Sequence, residues 1–269
     1  MKVISYSLFG YDNKHQDCHS FESFLMMFAV VLRANAVLFK DWKTILHIDH
    51  ESYHSPYKDY FAGLRSAGVD VMLRYKTDLC RAMLWRLDPV EYAEHTICRD
   101  LDSLPTLRER KAVEQWLIND TLAHSINDSV SHTIPLMGGM VGFKKNAFPL
   151  DISGSFLSKG SDQAWLNAYV YPKVQHSITE HRILGVGTRP ENPFSYNTIQ
   201  DIDVGLEEYK ECDLLVNHIG QGGFHLDKVY NQEINKHYAG AANYWVGRSP
   251  ICDELKEIEK PYKLFYWQK

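Results

Sequence analysis

The chain has 269 residues, and no proline-, glycine- or serine-rich linker divides it, so its length favours one large domain with a C-terminal appendage. It carries 29 basic and 34 acidic residues, a net charge of -5, which excludes a global attraction to nucleic acid or to an anionic membrane. Its cysteines are scattered with no C-x-x-C pair, which argues against a zinc ribbon or a disulfide framework and favours a reducing compartment.

The longest apolar stretch, residues 24–39, is interrupted by Arg33 and Asn35 and is too short to cross a bilayer. The first predicted strand begins directly at the amino terminus, without a charged leader, an apolar signal core or a cleavage site. We therefore expect a cytoplasmic protein without a transmembrane segment, in which this stretch forms a buried helix.

Strands and helices alternate through the first third of the chain. A strand over residues 3–10 precedes an apolar helix over residues 21–36, and strands over residues 44–49 and 69–74 flank a helix over residues 57–66. This βαβαβ order predicts an α/β fold with a Rossmann-like, mostly parallel sheet flanked by helices.

Gly10 and Tyr11 lie at the carboxyl end of the first predicted strand. A glycine there lets a ligand approach the backbone, and an aromatic ring can stack on a nucleotide base. A plain turn from strand to loop explains the same two residues equally well.

A group of possible metal ligands accompanies the second strand: His47, Asp49, His50 and His54. Two of them lie on the strand and two beyond it, so no fixed helical or turn spacing brings them together. We interpret the histidines as surface residues near a strand end.

Residues 79–87 predict a helix, with Arg81 and Trp85 four residues apart on one face. Asp100 and Asp102 then follow a short apolar run that predicts the fourth strand. In a strand, residues two apart share a face, so the two carboxylates would point together while Leu101 points toward the core. Two oxygen ligands at the carboxyl edge of a parallel sheet suit a hard divalent cation that also coordinates the oxygens of a diphosphate. An isolated Asp-x-Asp is more often a solvated loop or a helix cap, but the strand before it and a predicted helix over residues 106–119 after it favour the metal site.

Glycines interrupt the apolar run over residues 134–143 at Gly138, Gly139 and Gly142. They leave the backbone open to close approach by a sugar or by another strand. No G-x-G-x-x-G or P-loop pattern is present, so a dinucleotide fingerprint is absent.

Asp162 and Gln163 begin a helix that we expect to start with a serine or aspartate cap and to break at Pro172. A helix amino terminus favours anions, and these side chains can face a cleft. Asp162 is equally well explained as a capping residue.

The last third of the chain loses the regular alternation. A glycine-dense loop over residues 217–224 contains His218 and Gly220 and suits backbone contacts to a phosphate. The terminal stretch, residues 238–269, is rich in aromatic residues that pack as a cover or bind an acceptor, with packing the default.

Four motifs, in this order, resemble those of the GT-A glycosyltransferases and, remotely, of the glycogenin and bacterial lipopolysaccharide galactosyltransferase group. They are an arginine and a tryptophan before the fourth strand at residues 81–85, the D-x-D at residues 100–102, the glycine-containing strand at residues 139–142 and D-Q-x-x-L-N at residues 162–167. The resemblance covers about residues 1–225 as a nucleotide-sugar-binding and catalytic domain. It leaves residues 226–269 as a C-terminal cover or acceptor-side extension.

The resemblance implies a metal-dependent glycosyltransferase, a hexosyl- or pentosyltransferase in glycan biosynthesis. Its donor would be a nucleotide-diphosphate sugar, with a UDP-sugar favoured, and its acceptor a saccharide or glycan hydroxyl. No nucleic acid partner is expected. Manganese or magnesium would be held by Asp100, Asp102 and His218, with His181 as the alternative to His218.

The resemblance also implies the remaining site residues. Asp162 would orient a sugar or acceptor hydroxyl, and Gln163 would lie beside the anomeric carbon. The donor-binding residues would be Gly10, Tyr11, Arg81, Asp100, Asp102, Gly139 and Gly220.

Two other functions remain open. A metal-dependent phosphoesterase would use Asp100 and Asp102 with a second metal held by the histidines of residues 47–54, since such enzymes need two ions close together. A non-catalytic nucleotide-binding module would bind without metal and release no free nucleotide.

Overall fold

The computed structural model describes residues 1–11, 21–75, 77–103, 105, 107–127, 134–152 and 160–182. The strands are β1 (Lys2–Leu8), β2 (Lys43–Asp49), β3 (Asp70–Arg74), β4 (His95–Arg99), β5 (Ala123–Asn127), β6 (Met140–Lys144) and β7 (Ile178–Arg182). The helices are α1 (Phe21–Leu38), α2 (His50–Tyr53), α3 (Lys58–Ser66), α4 (Leu79–Ala82), α5 (Leu107–Asn119), α6 (Ser161–Trp165) and α7 (Tyr171–Val174). A 3-10 helix, Met83–Glu91, continues α4, and a π-helical turn, Leu166–Val170, joins α6 to α7.

The described strands form one sheet in the order β3-β2-β1-β4-β6-β5-β7. Only β6 runs antiparallel to its neighbours in this sheet, and the other adjacent pairs are parallel. The carboxyl ends of β1, β2, β4 and β5 therefore lie at the same edge as the start of β6. The predicted α/β fold with a mostly parallel sheet is confirmed, and this edge is where such folds bind ligands.

One face of the sheet packs against the long helix α1. The Tyr6 and Phe28 rings meet edge-on with centroids 5.1 Å apart, and the Asn35 side-chain amide donates to the Tyr6 hydroxyl at 2.8 Å. Burial raises the pKa of Tyr6, so the buried phenol stays neutral. The predicted buried helix over the longest apolar stretch is present.

The other core forms between β6, the 3-10 helix and the helical segment that ends in α7. It includes Leu84 and Leu87 from the 3-10 helix, Phe143 from β6 and Val170 and Val174 from the last segment. This packing matters for the site because it fixes two helical segments against the strands that carry the carboxylates.

Two helix predictions are wrong in detail. The helix expected over residues 79–87 is one α-turn, with Asp78 accepting the Arg81 N–H at 2.7 Å, and then a 3-10 helix that contains Pro89. A proline has no N–H and its ring crowds the carbonyl four residues earlier, which disfavours α-helical backbone there. The helix after Asp162 does not break at Pro172 but reaches Val174. The wider π-helical turn, Leu166–Val170, lies just before Pro172 and accommodates this residue, which has no backbone N–H to donate.

In the described part of the chain, no helix is both long and apolar enough to cross a membrane. The predicted C-terminal cover, residues 226–269, and the loop with His218 and Gly220 lie outside the described residues.

Candidate active site

Asp100 and Asp102 lie in a turn and not on a strand, which corrects the predicted geometry. β4 ends at Arg99, and the Ser103 N–H donates to the Asp100 carbonyl oxygen at 3.3 Å. Leu101 is buried in the main core, as predicted. In this turn, burial and then the charge of Asp100 raise the pKa of Asp102 to about 7.

Arg86 joins two carboxylates that are far apart in the sequence. It comes from the 3-10 helix, is buried, and donates through Nη1 to Asp100 Oδ1. Its Nη2 lies 3.7 Å from Asp162 Oδ2. The aspartate that follows β4 and the aspartate in the first turn of α6 therefore share one guanidinium.

Asp162 is nearly inaccessible, with 1% of its side chain exposed. Its Oδ2 has no hydrogen-bond partner among the described residues, and burial raises its pKa while the charge of Arg86 opposes the rise. The cap of α6 is Gly160, in the left-handed conformation at φ 86°, so the predicted serine or aspartate cap is wrong. The charge of Asp162 is thus balanced by Arg86 and not by a role as N-cap.

The backbone of Gly138 and Gly139 lies against the same three charged side chains. A Cβ on Gly139 would overlap Asp100 Oδ2, and a Cβ on Gly138 would lie 2.6 Å from Arg86 Nη2 and 3.5 Å from Asp162 Oδ2. Any larger residue would displace these groups. The backbone of Gly139 is therefore closely approached, as predicted, but by the Asp100 side chain of the candidate site.

Asn167 ties the glycine segment to the helix that contains Asp162 and Gln163. Its Oδ1 accepts the Leu136 N–H at 2.9 Å, and its Nδ2 donates to the Leu136 carbonyl at 2.8 Å. The same Nδ2 donates to the Gln163 carbonyl at 2.8 Å. Asn167, the last residue of D-Q-x-x-L-N, thus connects α6 to the segment before β6 and fixes the distance between them. Gln163 lies next to Asp162 on this helix and is half-buried.

Sequence reasoning missed Arg86 and selected Arg81. The Arg81 Nη2 donates to the Ile152 carbonyl at 3.0 Å, while Arg86 makes the contacts to both carboxylates. A signal for Arg86 was present in the sequence: it is an arginine between Leu84 and Leu87, in a stretch that the apolar pattern marks as buried. A buried guanidinium requires carboxylate partners.

The carboxyl end of β2 fixes the residues after β1. The Gly10 N–H donates to Asp49 Oδ2 at 2.9 Å, and the Tyr11 N–H donates to Ser52 Oγ at 3.1 Å. Asp49 also caps α2 by accepting the Ser52 N–H at 2.7 Å. Gly10 and Tyr11 therefore lie at the same edge of the sheet as Asp100, in a backbone position that β2 sets.

Among the described residues, the four possible ligands of residues 47–54 form no group of three or more that could hold a metal. The His50 and His54 rings do meet, with centroids 4.3 Å apart, so the prediction that no spacing brings these residues together is wrong for this pair. His47 is fully buried, with Nε2 3.1 Å from Ser5 Oγ and Nδ1 accepting from Arg74, so the prediction of a surface residue is wrong for it. Strand β2 lies between β1 and β3 and is covered on both faces, which buries its side chains. Burial, with the Arg74 charge, lowers the pKa of His47 to about 3. His50 and His54 are exposed.

His181, the alternative metal ligand, lies on β7, and strands β6 and β5 separate it from β4. Its Nδ1 is 2.9 Å from His124 Nε2, and burial lowers its pKa to about 4. The structure therefore does not bring His181 to Asp100 and Asp102. His218 lies outside the described residues.

The described residues contain no group of three or more histidine, cysteine, aspartate or glutamate side chains that could hold a metal ion. Asp100 and Asp102 provide two. Their chemistry fits a divalent cation, because two close carboxylates repel each other when both are charged and a cation between them removes that repulsion.

Comparison with solved structures finds similar chains at low identity. A Bacillus anthracis protein described as a glucose-1-phosphate thymidylyltransferase, solved with sucrose, is 14% identical with a TM-score of 0.46 over 68% of this chain and 86% of that one. Rv0371c from Mycobacterium tuberculosis H37Rv, solved with manganese, is 13% identical with a TM-score of 0.39 over 73% of this chain and 95% of that one. The mannosyltransferase PcManGT from Pyrobaculum calidifontis, solved with GDP-Man and Mn2+, is 12% identical with a TM-score of 0.37 over 58% of this chain and 49% of that one.

No protein-family model and no curated protein matches the sequence. With TM-scores below 0.5, the three structural likenesses support no inference about the substrate or metal of this chain.

Proposed function

We propose that the protein is a metal-dependent glycosyltransferase that moves a hexosyl or pentosyl group from a nucleotide-diphosphate sugar to a hydroxyl of a saccharide or glycan. The observation that supports this most is the buried Arg86 between Asp100 and Asp162, with the backbone of Gly138 and Gly139 against all three. Charged groups that converge at the carboxyl edge of an α/β sheet are expected at a ligand site.

Asp100 and Asp102 are the residues that we assign to Mn2+ or Mg2+, together with His218. When bound, the cation would neutralise negative charge on the departing nucleotide diphosphate as a Lewis acid. Arg86 holds Asp100 Oδ1, which fixes the orientation of that carboxylate before any ligand binds.

Asp162 is assigned to a sugar or acceptor hydroxyl. Its buried Oδ2 has no hydrogen-bond partner among the described residues, and a buried acceptor without a partner is unfavourable by about 1–3 kcal/mol. A hydroxyl donated by the substrate would satisfy it. Gln163, the next residue on α6, is the candidate for contact near the anomeric carbon, and its neutral amide is a poor nucleophile.

Tyr11 is assigned to the nucleotide base, with a UDP-sugar as the favoured donor. Its ring packs edge-on against Phe21 and Tyr57, with centroids 5.3 and 6.3 Å away. These ring contacts, together with the hydrogen bonds that the Gly10 and Tyr11 N–H groups donate to Asp49 and Ser52, hold the ring in place. A fixed aromatic ring can stack on a base at low entropic cost.

A two-metal phosphoesterase fits the structure less well. Its second ion would need the histidines of residues 47–54. His50 and His54 lie together, but His47 is buried with both ring nitrogens in contact with Ser5 and Arg74. A non-catalytic nucleotide-binding module remains the competing function, and it differs in releasing no free nucleotide.

The test is release of free nucleotide from UDP-, GDP- and ADP-hexoses and from UDP-pentoses, with Mn2+, with Mg2+ and after chelation. We expect release from at least one donor that depends on the metal. Simple phosphate esters serve as the parallel substrate for the phosphoesterase alternative.

Asp100→Asn and Asp59→Asn form the matched pair of variants. Asp59 is exposed on α3, the helix that precedes β3, and strands β2 and β1 separate β3 from β4, after which Asp100 lies. Its variant therefore controls for the loss of one carboxylate. Asp100→Asn is expected to reduce release about 100-fold or more while Asp59→Asn leaves it unchanged. Full release by Asp100→Asn with unchanged metal dependence would reject the assignment, and metal-independent binding without release would identify a binding module.

A further inference from the structure

Strand β3 is an outermost strand of the described sheet, and its surface is apolar. Met72 and Leu73, in the strand, are 41% and 43% exposed, and Tyr75, just after it, is 95% exposed. Beyond β2, the described residues provide no further strand for β3. An exposed apolar edge strand offers unpaired backbone N–H and C=O groups to another strand.

Two of the usual devices that prevent edge pairing, a proline and a charge in the middle of the strand, are missing from β3, although the strand is short and the Arg65 side chain donates to the Val71 carbonyl oxygen at 3.1 Å. The strand contains no proline, and the three residues in its middle, residues 71–73, are uncharged. Natural edge strands avoid association by placing a charge, a proline or a bulge in this position. The strand therefore has the composition of a pairing edge.

The charges of β3 lie at its two ends and have opposite sign. Asp70 begins the strand and Arg74 ends it, with Met72 in the middle. If a second copy pairs antiparallel with a two-fold axis at Met72, Asp70 of each copy lies opposite Arg74 of the other. Opposite charges that face each other across an antiparallel pair stabilise it.

We propose that β3 is a dimer interface, at which two copies of this chain pair their edge strands antiparallel about Met72 and form one continuous sheet. The self-complementary charge pattern selects a second copy as the occupant. Asp70 is 2.6 Å from Lys43 and Arg74 pairs with Asp88, but the Asp70 and Arg74 side chains remain 41% and 26% exposed. The contacts between copies would extend these ion pairs.

The proposed interface leaves the candidate active site open. Strands β2 and β1 separate β3 from β4, and the pairing extends the sheet sideways and not over its carboxyl edge. The inference does not depend on the proposed function, and its variants lie outside the candidate active site.

The first test measures the oligomeric state of the full chain by analytical ultracentrifugation over a dilution series. We expect a species of twice the 31.1 kDa chain mass. Met72→Lys would place two like charges opposite each other and raise the dissociation constant about tenfold or more. Ile118→Lys is the matched control, because Ile118 is 76% exposed on α5, and it should leave the constant unchanged.

The second test measures the register by disulfide formation. In the proposed pairing the two Met72 Cα atoms lie about 4.5–5.5 Å apart, within the reach of a disulfide. The two Tyr75 Cα atoms lie about 20 Å apart, three residues from the axis on each side. Met72→Cys should form a covalent dimer under mild oxidation, and Tyr75→Cys and the unmodified chain should not.

A monomer at all concentrations would overturn the proposal and would indicate that the edge is covered within one chain. A dimer that persists unchanged in Met72→Lys, or one that cross-links through Tyr75→Cys and not through Met72→Cys, would also overturn it.

Discussion

Replacing Arg86 with glutamine tests whether this residue holds the candidate site together. The Arg86 and Asp162 side chains are 5% and 1% exposed, so the variant leaves a buried carboxylate without its counter-ion. Breaking a buried pair in this way is unfavourable by about 3–5 kcal/mol. The contact to Asp100 adds less than about 1 kcal/mol, because that side chain is 40% exposed and water screens it.

The destabilisation should depend on pH in a defined direction. Without Arg86, burial and the charge of Asp100 raise the pKa of Asp162 against backbone hydrogen bonds only, so the pKa rises further above the unfolded value. A carboxyl group whose pKa is raised in the folded state makes the folded protein less stable as pH rises. The difference in the free energy of unfolding between the variant and the unmodified chain should therefore be larger at pH 7 than at pH 5. Urea unfolding followed by tryptophan fluorescence at both pH values measures it.

Arg110→Gln is the matched control. Arg110 also contacts two carboxylates, Asp41 at 3.2 Å and Glu114 at 2.7 Å, but these partners are 42% and 46% exposed. Its loss should change the free energy of unfolding by about 1 kcal/mol or less. The double variant Arg86→Gln, Asp162→Asn removes the uncompensated charge and should recover most of the loss. A single variant as stable as the control, or a double variant no better than the single, would refute the reasoning.

Three further predictions follow from the same contacts. Gly139→Ala should lower kcat for metal-dependent nucleotide release because the added Cβ displaces Asp100, and a kcat equal to that of the unmodified chain would contradict this prediction. Gly142→Ala is the comparison: its Cβ would lie 2.8 Å from Trp116 in the core, so it should mainly lower the urea midpoint, with a loss of stability of about 1–3 kcal/mol. His47 and His181 have pKa values of about 3 and about 4, so the free energy of unfolding should fall as pH drops below about 6.5, by up to about 1.4 kcal/mol per pH unit for each histidine. A free energy of unfolding that stays constant between about pH 6.5 and 4 would count against their burial as neutral groups. Chelation should abolish nucleotide release and added Mn2+ should restore it, and activity that survives chelation would remove the metal from the proposal.

Local patterns predicted the elements around the site well. The helix expected over residues 106–119 is α5, Leu107–Asn119, and the strand before Asp100 is β4. These predictions succeed because side-chain periodicity reports which face of an element is buried. Leu101 is buried as predicted, but the strand alternation behind that prediction does not apply, because the segment around Leu101 is a turn.

The apolar pattern could indicate that Arg86 is buried, but which of Arg81 and Arg86 contacts the carboxylates depended on structure that periodicity does not encode. The expected α-helix becomes a 3-10 helix after its first turn, and that change rotates each later side chain to a new direction. Arg86 then points to Asp100 and Asp162, which come from segments distant in the sequence. The same limit applies to His47, whose burial follows from the strands on both sides of β2.

By itself, the sequence determined the alternation of strands and helices in the first third of the chain and the chemical types available at the ends of those strands, because these depend on neighbours within a few residues. Only the tertiary structure decided that β6 runs antiparallel, that Gly138 and Gly139 therefore meet the end of β4, and that a single buried guanidinium balances two distant carboxylates. Such pairings depend on sheet order and on the loss of water around charged groups, and both arise when the whole chain packs.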